Sequence, residues 1–274
     1  SVATTGAYAE GISAHSYRGD VTVTSGTVTT GGNYAEGILA SGAGTVTIVS
    51  GSVTTSGDSA AGIVGEQDAD DGGYYSLMAP LALGPAGGAS ITSGEVTTSG
   101  TGSEGIQADA DTGDIEIFST GNVTTTGQGS RGIEAEAYAG MVTIENATVT
   151  TEGSYSVGIY AEAEGHISIA SATLTTTGES SNGIRAESRN GDVAIASGAV
   201  STSGSGSRGI YAESDYGSVS VVSESIVTGG AFSDGINAVA FDGTVTVESA
   251  GIETSGATSA GIAARTTFRN IDIE

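Results

Sequence analysis

The sequence predicts an all-β chain wound into a right-handed parallel β-helix, a three-sided β-solenoid of about ten coils of ~26 residues. Three observations carry this expectation. Gly-Ile pairs begin at Gly11, Gly37, Gly62, Gly105, Gly132, Gly158, Gly183, Gly209, Gly235 and Gly261, spaced by 25 to 27 residues except for one interval of 43. Within each repeat, apolar and polar residues alternate with period two in short runs broken by small-residue turns, as half-buried strands do. Stacked on one another, the repeats give chemically uniform columns wherever a core would lie. The hand follows from the general rule that parallel crossovers are right-handed.

The repeat that starts at Gly158 shows each element in order. Ile159 and Ala161 point one way and Tyr160 and Glu162 the other, which makes a first strand. A turn at Gly165 leads to Ile167-Ser168-Ile169, a second strand. Ser171-Ala172 turns again, and Leu174 with Thr175-Thr176 forms a third strand before Gly178. The first inward column is Ile in all ten copies, and the second is Ala in nine, with Gly65 as the exception. The Gly before each Ile is expected to take a backbone shape that a Cβ resists. A threonine column, from Thr30, Thr55 and Thr98 to Thr254, and a turn-serine column containing Ser25, Ser50 and Ser93 read as ladders that pass hydroxyl hydrogen bonds from coil to coil.

An array with a fixed period has no globular boundary, so residues 1–274 read as one β-helix domain with an inserted loop at about 67–85. Burial must come from thin layers of Ile, Val and Ala, because Trp is absent and large apolar residues are few. The balance of 32 acidic residues against seven arginines, −25 in all, repels phosphate backbones and anionic membrane surfaces. Nucleic acid is therefore not expected as a partner. No apolar run approaches the ~20 residues of a membrane helix, so membrane insertion is not expected. The absence of Cys excludes disulfides and thiolate metal sites.

The recurring phrases, as in "SGSVTTSGDSAAGI" and "SRGIYAES", resemble the repeat-rich passenger regions of bacterial autotransporter surface proteins. The resemblance covers nearly the whole chain, and its low-complexity motifs specify fold far better than activity. It implies a secreted, bacterial cell-surface β-helix that works as stalk, adhesin or matrix component, with glycans or a neighbouring cell surface as partners. That family's C-terminal outer-membrane barrel is not present in this sequence.

Four features are candidates for function. In six successive repeats the second outward position of the first strand is acidic: Glu66, Asp109, Glu136, Glu162, Glu187 and Glu213. Like charges directly opposite one another are destabilising unless cations or protonation relieve them. The column is densest where Glu66 and Asp68 lie beside Asp109 and Asp111, a set of oxygens that suggests calcium once carbonyls or water complete it. The insertion "QDADDGGYYSLMAPLALGP" departs in composition from its surroundings, and Tyr74, Tyr75, Leu77 and Met78 make it a candidate contact loop. The neighbouring outward column runs Glu134, Tyr160, Arg185, Tyr211, which places a guanidinium between two phenol rings. Finally, Val2 and Thr4 match the third strand while Ile271 and Ile273 match the second. Such open edges predict either continuation of a longer parent β-helix or head-to-tail stacking of copies into a fibre.

Catalysis is not expected. Carboxylate pairs are too abundant to be informative, lysine is absent, the arginines are scattered, and His15 and His166 fall in distant coils, which leaves no histidine-based dyad between them. The alternatives are a polysaccharide-binding or polysaccharide-degrading β-helix and, third, an ice-binding protein. The outward rank Thr29, Thr54, Thr97, Thr124, Thr150, Thr175 suits ice binding but is broken by Ser201, Val227 and Glu253.

Overall fold

A computed structural model describes residues 1–68 and 87–274. All of the described regular elements are β-strands, and all pair in parallel in two sheets, one of twelve strands and one of ten. The chain is a parallel β-solenoid of about ten coils whose equivalent strands stack about 26 residues apart.

A typical coil contributes a short strand, such as Ile159–Ala163, to the ten-stranded sheet and a long one, such as Ile167–Thr176, to the twelve-stranded sheet. The second and third strands expected from the sequence are thus one continuous strand in the long strands from Val21–Thr30 to Val219–Thr228, whereas they stay separate as Val245–Ser249 and Ile252–Thr254. The expected turn is a corner within the long strand: Ala172 and Thr173 both face outward, so residues 167, 169 and 171 point inward before the corner and 174 and 176 after it. Length variation is absorbed outside the paired core. The 25-residue repeats lose one residue in the turns before Val46 and Ile167, and the 27-residue repeat carries an extra residue in the corner of Ile115–Thr125.

The interior is one continuous cluster of Ile, Val and Ala in register from coil to coil. Close approach of the coils explains the glycines. A Cβ on Gly37 would lie 2.4 Å from Val53 and 2.5 Å from the Gly62 carbonyl, so space, not a positive φ, excludes other residues before Ile. A second glycine column is tighter still: on Gly57 a Cβ would sit 1.9 Å from the Gly32 carbonyl.

Two hydroxyl columns brace the adjoining corner, and they divide the labour differently from expectation. The threonines do not bond from coil to coil. Thr30, Thr55, Thr98, Thr125, Thr151, Thr176, Thr202 and Thr228 each donate to the carbonyl five residues ahead in their own coil, at 2.7 to 2.9 Å. The coil-to-coil ladder is made by Ser103, Ser130, Ser156, Ser181, Ser207, Ser233 and Ser259. Each accepts the corner N–H of the preceding coil at 2.9 to 3.0 Å. Each also donates to a glycine carbonyl of that coil, as Ser156 does to Gly127 at 3.0 Å. The turn serines do so only in part. Ser93 bonds Ser119 and Ser223 bonds Ser249, whereas Ser25, Ser50 and Ser197 find no partner among the described residues.

Candidate functional site

The outward face of the ten-stranded sheet gathers most of the chain's charge chemistry. Strand register places Glu66, Asp109, Glu136, Glu162, Glu187 and Glu213 directly beside one another in sequence, with Ser41 before them and Val239 after. Successive carboxylates are therefore about one strand spacing, ~4.8 Å, apart.

What holds this column is its neighbour. Side chains two apart on one strand share a face, so the first outward residue of each strand reaches the second. Gln107 donates to Asp109 at 2.9 Å, Tyr160 to Glu162 at 2.5 Å, and Arg185 to both oxygens of Glu187 at 2.9 and 3.1 Å. Tyr211 donates to Glu213, and Arg131, from the preceding corner, pairs with Glu134 and stands 4.0 Å from Glu136. The donors interlock in turn. The Arg131 guanidinium lies 4.3 Å from the Tyr160 ring centre, Arg185 lies 5.5 Å from Tyr160 and 5.9 Å from Tyr211, and Arg208 lies 5.3 Å from Tyr211. The expected sandwich of Arg185 between two phenols is present, extended at both ends by corner arginines that the column reading alone did not include. Burial, then the bonds to Glu162 and Glu213, push the Tyr160 and Tyr211 hydroxyls above the usual phenol range.

Glu66 stands apart, because Val64 occupies the donor position of its strand. Burial, then repulsion by Asp109, Asp68 and Glu36, raises its carboxyl above the ordinary value, against a lowering by His15. Asp109 is raised to about 6 by burial and by Glu136 and Asp68, although Gln107 and Arg131 oppose the shift. The structure thus brings Glu66 and Asp109 together as register partners. Asp68 and Asp111 follow their strands by one residue and continue the ladder through their N–H groups. Among the described residues, no three His, Asp or Glu side chains stand where they would jointly hold a metal ion.

Farther along the face, Glu136, Glu162, Glu187 and Glu213, with Tyr138, Glu164, Arg189 and Asp215, line an open acidic groove of about 480 Å³. The remaining candidates disperse. Tyr74, Tyr75, Leu77 and Met78 lie outside the described residues. Val2 and Thr4 pair with Val28 and Thr30, and Ile271 and Ile273 pair with Val245 and Val247, at opposite edges of the twelve-stranded sheet. His15 hydrogen-bonds Ser41, while His166, five coils away from His15, accepts from the Asp192 N–H of the next coil. The chain matches no protein-family model, no curated protein and no solved structure.

Proposed function

We propose that the chain is a non-catalytic structural or adhesive rod of the bacterial cell surface, a stalk or matrix component secreted outside the cell. One observation carries this reading: the outward charge is assembled into a repetitive ladder in which five of six column carboxylates sit beside a donor or cation, four of them bonded from the same strand. A catalytic carboxylate is set in a concave pocket beside groups that take a different role in the same reaction. Here the same pairing recurs coil after coil along an open face, which is what a surface of defined length and charge requires. In such a rod the sheet edges at Val2–Thr4 and Ile271–Ile273 are where further coils stack, from a longer parent chain or from another copy. Stacking of separate copies works against −25 charges per subunit, so raised salt or calcium favours it by screening.

Negative-stain electron microscopy across concentration, in calcium and in chelator, tests the proposal. Rigid rods of about 48 Å per chain, single or joined end to end, support it. Compact particles, or turnover of any polysaccharide in a panel incubated with the purified chain, overturn it.

A further inference from the structure

The chain has neither Cys for disulfides nor Lys for isopeptide bonds, and it carries ten tyrosines. Among the described residues, Tyr8 and Tyr34 are the one pair of phenols in ring contact, with ring centres 5.0 Å apart and planes within 8°. Elsewhere the phenols are single. Tyr17 meets His15 edge to face, Tyr155 has Gly129 and Ser180 in the neighbouring corners, and Tyr160 and Tyr211 are held apart by Arg185.

The stack is a product of the backbone. The corner between the long strand and the next short strand puts one residue per coil in the left-handed region, where its N–H donates to a carbonyl of the following coil: Tyr8 to Asn33 and Tyr34 to Asp58, both at 2.9 Å. Tyr8, at φ 58°, and Tyr34, at 55°, therefore share one backbone shape, and their side chains leave the rod in parallel, one coil apart. A positive φ is a genuine outlier for a bulky residue, and three corners meet it with Gly instead. Burial does not explain tyrosines in two successive corners, since they remain 73% and 50% exposed. What the corners supply is the alignment of two solvent-exposed phenols across the joint between two coils.

From this alignment we infer that Tyr8 and Tyr34 form an oxidative cross-linking site, at which a peroxidase using hydrogen peroxide couples them into dityrosine and ties their two coils together. Each phenol gives one electron to the oxidant and one proton to water, which leaves two neutral phenoxyl radicals. A carbon–carbon bond forms between ring carbons next to the oxygens, and each of those carbons then passes its hydrogen to a phenol oxygen as the rings regain aromaticity. In sum, two tyrosines and one hydrogen peroxide give one dityrosine and two waters. The χ2 torsion of Tyr is broad, so the stacked rings tilt until the two carbons meet. The stack also holds each phenol at an effective concentration far above that of another chain, while −25 charges per chain keep other copies away. Each coil pairs only with its neighbours, so a bond across this joint closes the 26 positions between Tyr8 and Tyr34 into a loop and resists separation of the coils. The proposal does not depend on where the rod is displayed or on what it touches.

Treatment of the dilute whole chain with a haem peroxidase and hydrogen peroxide tests it, followed by cleavage after Glu and mass mapping. The expected product joins residues 1–10 to residues 11–36 with the loss of two hydrogens, shows dityrosine fluorescence and runs as a monomer on a denaturing gel. Tyr17 lies in the second fragment, so a Tyr17→Phe variant, expected to couple as the natural chain does, assigns the bond to Tyr34. In Tyr8→Phe the yield of dityrosine is expected to fall about tenfold or more, because the aligned partner is gone. That variant should keep its fold, since Phe232 already occupies the same corner in another coil. Oxidation should raise the melting temperature of the natural chain by several degrees and leave that of Tyr8→Phe unchanged. Four results overturn the proposal: little or no dityrosine in the natural chain, an equal yield in Tyr8→Phe, a Tyr8–Tyr34 bond that does not raise the melting temperature, or coupling mainly between chains, which would assign the rings to a contact between copies.

Discussion

At the scale of single residues, the fold is held by backbone groups that would be orphaned inside a coil and find partners through serine and threonine. Ser156 is fully buried, accepts the Ser130 N–H and donates to the Gly127 carbonyl, while Thr151 donates to the Ser156 carbonyl. Ser156→Ala strips both coil-to-coil bonds and leaves two buried backbone groups unpaired. The expected loss is about 2 to 4 kcal/mol, read from thermal or urea melts. A loss below about 0.5 kcal/mol, within the range of neutral surface changes, would show that water or neighbouring groups replace the ladder. The serine column recurs in the sequence two residues before each Gly-Ile pair in seven of ten coils, so its existence was legible. Its partners were not, because a hydroxyl's direction depends on the corner backbone, and periodicity reports only whether a side chain faces in or out.

At the scale of the strand, the acidic column shows how a destabilising pattern is made tolerable and where it is not. The donor sits two residues earlier on the same strand, a relation open to anyone reading the columns pairwise; read column by column, the carboxylates suggest cations or protonation instead. Arg185 links both columns, stacking near two phenols and holding Glu187 with two bonds. Arg185→Met is expected to cost about 1 to 2 kcal/mol in melts at low salt, from two cation–π contacts and a freed carboxylate. The joint between Glu66 and Asp109 is the weak one. Both carboxyls are raised in the folded chain, so the folded state holds their protons more tightly than the unfolded state does. Their unfavourable contribution is absent below the ordinary value of 3.8 for Asp and grows as pH rises toward and past the folded value of about 6 for Asp109. Asp109→Asn is therefore expected to stabilise the chain at pH 8, by about 1 to 2 kcal/mol, and to change little at pH 4. Melting temperatures of the two proteins across that range decide it, and equal differences at both ends would remove the titration from the account.

At the scale of the whole molecule, stability is a sum over joints between neighbouring coils, since each strand pairs only with its counterparts one repeat away. This is why the architecture was so legible: a repeated Gly-Ile spacing fixes the coil, and uniform inward columns fix the register. The continuity of the long strand was not legible, because a corner of small residues reads like a turn whether or not backbone pairing runs through it. A nearest-neighbour molecule makes a sharp demand on deletions. Removing residues 236–261, one 26-residue repeat, joins Gly235 to Ile262 and sets Ile262 against Ile210, with the Ile, Ala and outward columns intact. Exchanging two joints for one equivalent joint should leave a folded rod that is shorter by about 4.8 Å and melts within a few degrees of the original. Removing only residues 236–248, half a repeat, brings a short-strand position onto a long-strand one and places polar groups in the core. That chain should lose cooperative melting in its last coils, seen as a reduced β signal in circular dichroism. If the full-coil deletion unfolds as completely as the half-coil deletion, stability is not shared among local joints, and the coils would have to depend on one another over the length of the rod.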